Sequence, residues 1–381
     1  AGVSVTYAPG IDTGAIVDPG GKCLDVAGAN RANGTKIQLW ECNSTDAQRW
    51  KRGANGSLQA LGKCMDAAES LHLFDCNGSE TQRWSAGPDG TIANSGKCLD
   101  GKLALGACPG QRWQIASGSS LHDEALAAAR KAETAIVFVD KFETEGADLA
   151  DIDFSAEQNQ LIRDVAAANA NTIVVINSGS AVTMPWLGQV RAVFECWYPG
   201  QEYGNAIAAL LFGDANPSGK LPVTFPKSLA DVPAHTAAQW PGENGTVHYS
   251  EDIDAGYRWY DRHQLEPLFP FGYGLSYTVF AYAHLQVERR RVSFDVTNTG
   301  KREGAEIAQV YVAQPAASGE PPKSLRGFAK VTLKPGETRR VTVSLDPRSF
   351  QYWSGGWKKA VGLQKVLVGS SSRDIHLTSD R

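Results

Sequence analysis

Residues 141–146 read KFETEG and set two carboxylates, Glu143 and Glu145, directly behind the apolar run AIVFVD at 135–140. A carboxyl group at the end of a strand can give or take a proton, the role that general acid–base catalysis asks of Asp and Glu. The same groups can cap a following helix or face water, and spacing alone leaves these roles open. A second pattern is repetitive: KCLD at 22–25 returns as KCMD at 63–66 and KCLD at 97–100, while QRW recurs at 48–50, 82–84 and 111–113. Each copy places an Asp behind a Cys and a Gln two positions before a Trp.

Cysteine usage follows the same rhythm. Six of the seven cysteines fall as Cys23/Cys42, Cys64/Cys76 and Cys98/Cys108. The rhythm favours local bridges, although the count does not require them. Bridges of this kind argue for an oxidising setting, that of a secreted or otherwise extracytoplasmic protein. Cys196 stands apart in RAVFECWYPG, with no neighbouring residue that could serve as a base, and reads as a buried free thiol.

The elements that must hold these residues divide the chain into three regimes. A length of 381 residues suits two or three domains. With 37 basic and 41 acidic residues the net charge is −4, so no bulk basicity points to nucleic acid, and no GxxxxGK[ST] run is present. No apolar stretch approaches the roughly 20 residues of a membrane-spanning helix. The opening AGVSVTYAPG lacks both a Met and a signal-peptide pattern, and reads as the start of a fragment or processed product. The seven histidines are scattered, with no HExxH, and neither a metal nor a cofactor is expected.

In the first regime, pieces such as TKIQLW alternate with turn formers such as RANG, GANG and PDG, predicting a threefold all-β unit. Trp50, Trp84 and Trp113 hold equivalent places and read as its core. The second regime predicts helices over LHDEALAAARKAE, AEQNQLIRDVAAAN and GNAIAALLFG. Between them, AIVFVD reads as an interior strand, with further strands at TIVVINSG and Val190–Cys196. This alternation specifies an α/β layer fold, whose ligands gather beyond the carboxyl ends of the strands, where Glu143 lies. The third regime, with RRVSFDV, AEIAQVYV, RRVTVSL and QKVLVG separated by turns such as LKPGE, predicts an antiparallel sandwich.

The three CxD…QxW copies resemble the ricin B-type lectin family, a β-trefoil carbohydrate-binding module also classed as carbohydrate-binding family 13. In that family each repeat holds a sugar by the Asp after the first cysteine, an aromatic before the second and polar groups near QxW. The resemblance implies a first site of Asp25, Gln38, Trp40 and Gln48 and a second of Asp66, His72, Phe74 and Gln82. An aromatic face would cover the pyranose while Asp and amide groups bridge its hydroxyls. The first repeat has Ala47 where the family has Asn. In the third, Ala104 and Gly106 replace the polar and aromatic positions, so Asp100 reads as structural.

KFETEGAD, WYPGQEYGNAIAALLFGDANPSGKLPVTFP, YSEDIDAGYRWYD and PLFPFGYGLSYTVF resemble the C-terminal half of glycoside hydrolase family 3, the β-glucosidase group. The resemblance implies a multidomain chain. Residues 1–16 and 117–277 would form an α/β sandwich domain, 17–116 an inserted β-trefoil and 278–381 a fibronectin III-like β-sandwich. Family 3 enzymes are retaining and take an Asp nucleophile from an N-terminal (β/α)8 barrel, of which these 381 residues contain no trace. A loop Glu of the α/β domain supplies the general acid/base in several members. The E-x-E/K-G pattern assigns that role to Glu143, with Glu145 the alternative. Asp148 would orient Glu143 or serve a turn, and Asp153, Glu202, Glu251 and Asp252 read as structural.

The implied function is the C-terminal portion of an exo-acting β-glucosidase cleaving terminal β-D-glucosyl residues. Its partners would be an oligosaccharide or polysaccharide and the missing barrel, without nucleic acid. Two alternatives stand beside it: a non-catalytic carbohydrate-binding protein, and a β-xylosidase of the same family.

Overall fold

The computed structural model describes residues 13–381, except 44, 53–55, 69, 87–89, 109, 110, 116, 117, 142, 144, 146–148 and 150. The expected strand at VSVTYAPG and the orienting role of Asp148 therefore lie outside the described residues. The chain forms two compact units. One comprises Ala1–Phe138, Ser155–Val175 and Trp186–Phe194; the other comprises Val139–Phe154, Ile176–Pro185 and Glu195–Arg381.

In the first unit, residues 13–115 are β-rich and repeat three times. Each KCxD strand forms an antiparallel hairpin with the strand before the next cysteine. Cys23 faces Trp40 and Asp25 faces Gln38; Cys64 faces Phe74 and Asp66 faces His72; Cys98 faces Gly106. Disulfides close the same hairpins, joining Cys23 to Cys42, Cys64 to Cys76 and Cys98 to Cys108. Beneath them lies an apolar core that includes Leu24, Ile37, Met65, Leu73, Ile92 and Leu99.

The three tryptophans sit in that core, each donating its indole N–H to the carbonyl of the residue behind a repeat cysteine. Trp50 reaches Leu24 at 2.8 Å, Trp84 reaches Met65 at 2.9 Å and Trp113 reaches Leu99 at 3.2 Å. The large apolar ring and the single polar atom are both accommodated, the condition for burying Trp without a polar penalty.

The predicted helices form at Gly118–Lys131, Ala156–Ala168 and Tyr203–Phe212. Ser155 caps the second, accepting the Gln158 amide at 3.2 Å, and buries its face of Leu161, Ile162, Val165 and Ala166. Asn169, just past its end, donates to the carbonyls of Ala129 and Ala132, both at 2.9 Å, and so closes the C-terminal end of the first helix.

Three strands accompany these helices, in the order Ala135–Asp140, Thr172–Asn177, Ala192–Glu195. Ala135 N–H donates to Asn171 O and Lys141 N–H to Asn177 O, an equal advance on both chains that marks a parallel pair. The interior position expected for AIVFVD is corrected: among the described residues it is an edge strand, and Ile136 and Phe138 are exposed on its outer face. The middle strand is Thr172–Asn177, with Val174, Val175 and Ile176 fully buried. Its continuous apolar run belongs to a strand covered on both faces, whereas AIVFVD buries only alternate residues.

In the second unit, Phe280–Glu288, Arg291–Asn298 and Thr338–Ser344 form one antiparallel sheet. Ser324–Leu333, Gly304–Ala313, Lys365–Gly369 and Ile375–Asp380 form the other. Alternating Val and Phe residues, among them Val292, Phe294, Val310, Val341 and Val366, fill the space between them. Buried polar groups join the sandwich to the segments before it. Lys220 of PSGKLP pairs with Glu306 at 3.1 Å, and Asp261 of the short helix Tyr257–Arg262 accepts from Arg373 at 2.9 Å. No described helix is long and apolar enough to cross a membrane, and no eight-stranded parallel barrel occurs among the described residues.

The indole bonds generate a stability prediction. Trp50→Phe keeps most of the apolar ring but leaves the buried Leu24 carbonyl unpaired, so unfolding of the oxidised chain should occur with about 1–3 kcal/mol less stability. Urea titration followed by fluorescence of the remaining tryptophans measures the loss.

Candidate active site

Glu143 lies three residues beyond the edge strand Ala135–Asp140, and its carboxylate turns onto the loop that leaves the middle strand. One oxygen, Oε1, accepts three hydrogen bonds: from the backbone N–H of Gly179 (3.2 Å), the backbone N–H of Ser180 (3.2 Å) and the Ser180 hydroxyl (2.9 Å). Oε2 has no hydrogen bond among the described residues and lies over Gly179, where an added Cβ would sit 2.8 Å from it. The same Cβ would sit 2.8 Å from the ring of Tyr198, whose hydroxyl donates to Lys141 O at 2.8 Å. A residue without a side chain lets the carboxylate and the aromatic ring approach the turn together.

A second carboxyl group at this turn carries no signal in the sequence patterns. Glu195 ends the third strand and faces Ser178, whose hydroxyl lies 3.4 Å from each carboxylate oxygen while donating to Ser180 O at 2.8 Å. The backbone N–H of Trp197 donates to Glu195 Oε1 at 2.9 Å. Burial raises the Glu195 carboxyl to about 7, against an ordinary value of 4.5, and the charge of Glu143 pushes in the same direction. Ser178–Ser180 therefore bridges two acidic groups in different environments, Glu143 accepting three hydrogen bonds and Glu195 desolvated.

The surrounding residues fix this geometry. Trp197 adopts a left-handed backbone with φ 53°, a conformation costly for a bulky residue, and its ring meets Phe225 edge-on at 6.1 Å. Tyr198 is largely exposed. Lys141 pairs with Asp151 at 3.1 Å, and Asp153 accepts the Thr183 hydroxyl, tying the two loops together from the other side. Cys196 is a free, half-buried thiol whose ionisation is pushed up to about 11, chiefly by burial, which leaves it uncharged and poorly nucleophilic.

The other expected residues are separated from this turn. Glu145 is exposed on the same loop and makes no hydrogen bond among the described residues. Glu202 accepts from Asn205 at 2.6 Å and Glu251 from Gln239 at 3.2 Å, while Asp252 is exposed. No group of three or more metal-ligating side chains occurs among the described residues.

In the β-rich repeats the expected sugar-binding residues split into two layers. Asp25, Gln48, Asp66 and Gln82 are buried. Gln48 donates to Asp25 at 3.1 Å and to Glu41 O at 2.9 Å; Gln82 donates to Asp66 and Asp75 O, both at 2.9 Å. In the first two repeats the Asp–Gln bond locks the KCxD strand to the turn before the core tryptophan. The outer layer is accessible. Trp40 is 56% exposed, and Gln38 beside it donates to Asp25 at 3.0 Å. Phe74 is also exposed, and the half-buried His72 meets it edge-on at 6.0 Å.

The third repeat lacks the lock. Asp100 turns into its own loop, accepting the amides of Lys102 (2.8 Å) and Ala104 (2.9 Å), which hold its carboxyl below the usual range. Gln111 Nε2 is buried without a partner among the described residues.

The three-stranded α/β layer, the acidic turn at its carboxyl end and the sandwich define a class. The family model described as the glycosyl hydrolase family 3 C-terminal domain matches residues 25–277, and the fibronectin type III-like domain matches residues 306–372. The chain belongs to glycosyl hydrolase family 3. Among particular relatives, the β-glucosidase of Rhizobium radiobacter is 43% identical over 268 residues, covering 66% of this chain and 33% of its own length. An exo-α-(1→6)-L-arabinopyranosidase of Bifidobacterium breve is 41% identical over 269 residues, covering 67% of this chain and 35% of its own. Among solved structures, a Bifidobacterium adolescentis β-glucosidase superposes with a TM-score of 0.66 at 39% identity, covering 70% of this chain and 41% of that one. The chain spans about a third of the length of these curated relatives.

The buried carboxyl gives a pH prediction. Native Glu195 keeps its proton up to about pH 7, whereas the unfolded chain releases it near 4.5, so this group lowers stability progressively as pH rises between those values. Glu195→Gln abolishes that contribution. Urea midpoints should separate in the variant's favour from pH 5 to pH 7.5; a constant difference would mean that Glu195 is ionised throughout.

Proposed function

We propose that this chain is the C-terminal part of a retaining, exo-acting β-glucosidase, in which Glu143 is the general acid/base and an Asp on a separate (β/α)8 barrel is the nucleophile. The observation that carries this reading is the placement of Glu143. Three donors fix Oε1 while Oε2 is left available, at the carboxyl end of a parallel sheet, in a chain of family 3. A carboxyl group anchored through one oxygen can present the other to a glycosidic oxygen in a fixed direction. Protonation of Oε2 at neutral pH requires a nearby nucleophilic carboxylate and exclusion of water, both of which the barrel would bring. Glu145 is the alternative acid/base.

The same reading places an inserted β-trefoil lectin module at residues 17–116, an α/β domain at 1–16 and 117–277 and the fibronectin III-like domain at 278–381. Sugar binding is supported by the exposed Trp40 and Phe74, each beside a polar neighbour, Gln38 and His72. Asp25 acts here by orienting the Gln38 amide, and Asp66, Gln48 and Gln82 by holding the hairpins. Three disulfides fit an extracytoplasmic location. The module would concentrate polysaccharide near the hydrolase site. Relatives named for both β-glucosidase and arabinopyranosidase activity leave the cleaved sugar open to assay, β-xylosides included.

The purified 381-residue chain should release no 4-nitrophenol from an aryl β-glucoside, whereas addition of a family 3 barrel should restore turnover. In that assembly Glu143→Gln should lower kcat by about 10²–10⁴-fold, with Glu145→Gln close to wild type. The reverse ranking transfers the role to Glu145, and turnover by the chain alone refutes the shared-site reading. Separately, Trp40→Ala should abolish retention of the chain on insoluble β-glucan; equal retention of variant and wild type refutes sugar binding at that repeat.

A further inference from the structure

Counting back from the second cysteine of each hairpin identifies positions that the repeats share. Ile37, Leu71 and Leu103 stand five residues before Cys42, Cys76 and Cys108, and Lys36, Ser70 and Lys102 stand one residue earlier. All six line a single pocket of about 500 Å³, together with Gln38, Leu39, Trp40 and Gly101. Equivalent residues of three repeats can converge only where the repeats meet, so the pocket lies on the pseudo-threefold axis of the β unit. It spans all three repeats while sharing Gln38 and Trp40 with the first-repeat site.

The residues form a graded cavity. Ile37 and Leu71 are buried and belong to the core beneath the pocket, and Leu103 packs against that core. At the rim, the backbone pairs Lys36 with His72, and Ile37 N–H donates to Leu71 O at 3.2 Å, which joins the first two repeats. Lys36 and Lys102 are exposed, and neither makes an ion pair among the described residues. The nearest carboxylate along the chain from Lys102, that of Asp100, makes its hydrogen bonds to backbone amides of its own loop and feels the Lys102 charge without an ion pair to it. Trp40 adds an exposed indole at one side and Gln38 an amide.

We propose that this axial pocket binds an acidic sugar, a uronate residue of a polysaccharide. Trp40 covers the apolar face of the pyranose, Gln38 meets a hydroxyl, and the ammonium groups of Lys36 and Lys102 receive the carboxylate from two different repeats. Charge complementarity separates this occupant from a neutral sugar: both charged side chains that line the pocket are lysines, and one carboxylate can be shared between them. The pseudo-symmetry is broken in the required way, because Ser70 in place of a third lysine leaves two cations facing one carboxylate. The inference rests on the carbohydrate-binding reading of the β unit.

Calorimetric titration of the full chain with an oligogalacturonate and with a neutral cello-oligosaccharide of equal length tests it. The wild type should bind the oligogalacturonate, more weakly at 0.5 M salt. The double variant Lys36→Gln/Lys102→Gln should lose that affinity by about tenfold or more, with cello-oligosaccharide binding unchanged. Lys36→Arg/Lys102→Arg should retain it, and thermal midpoints of both variants should match the wild type. Uronate binding that survives the Gln substitutions, or binding of the neutral sugar alone, overturns the axial site while leaving the lectin reading intact. Binding of neither sugar overturns both.

Discussion

The turn Ser178–Gly179–Ser180 faces two acidic side chains at once, and the chemistry of the α/β layer depends on how it keeps them apart. Glu143 receives three hydrogen-bond donors from it and Glu195 approaches its serine hydroxyl from the sheet side. Burial raises the Glu195 carboxyl to about 7, and the charge of Glu143 adds to that in the same direction. The absence of a side chain at Gly179 lets Glu143 and Tyr198 both reach the turn, since each occupies the volume a Cβ would take.

The β-rich repeats use polar groups differently. Each core tryptophan satisfies a strand carbonyl, and in two repeats an Asp–Gln bond reinforces the same hairpin. The third keeps its tryptophan and disulfide but has redirected its Asp into a short loop. Hairpin geometry thus persists where the polar lock has gone, which indicates that the tryptophan bond and covalent closure suffice to hold it.

Much of this was legible in the sequence because it rests on period and repetition. Helical runs, the middle strand and the sandwich strands all announce themselves through apolar spacing, and the KCxD and QRW copies locate the hairpins. The edge position of AIVFVD among the described residues was not legible, since an apolar run has the same appearance in an edge strand and in a central one. Glu195 escaped notice for a related reason. It sits inside an apolar strand pattern, and only the fold brings Ser178 and Glu143 beside it from remote segments. The division of the repeat residues into a buried lock and an exposed face also required three dimensions. Asp25 and Trp40 differ in depth but are neighbours in the same hairpin.

The three disulfides each join cysteines adjacent in the chain order, separated by 19, 12 and 10 residues, while the gaps from Cys42 to Cys64 and from Cys76 to Cys98 are longer. Loop closure is entropically cheapest for the shortest loops, so the native partners are also the first to meet. In an oxidising compartment entered amino end first, each hairpin could be sealed before the next pair emerges. The pairing code is thereby written as an order of events, and a misplaced cysteine would disturb the timing of oxidation as well as its outcome.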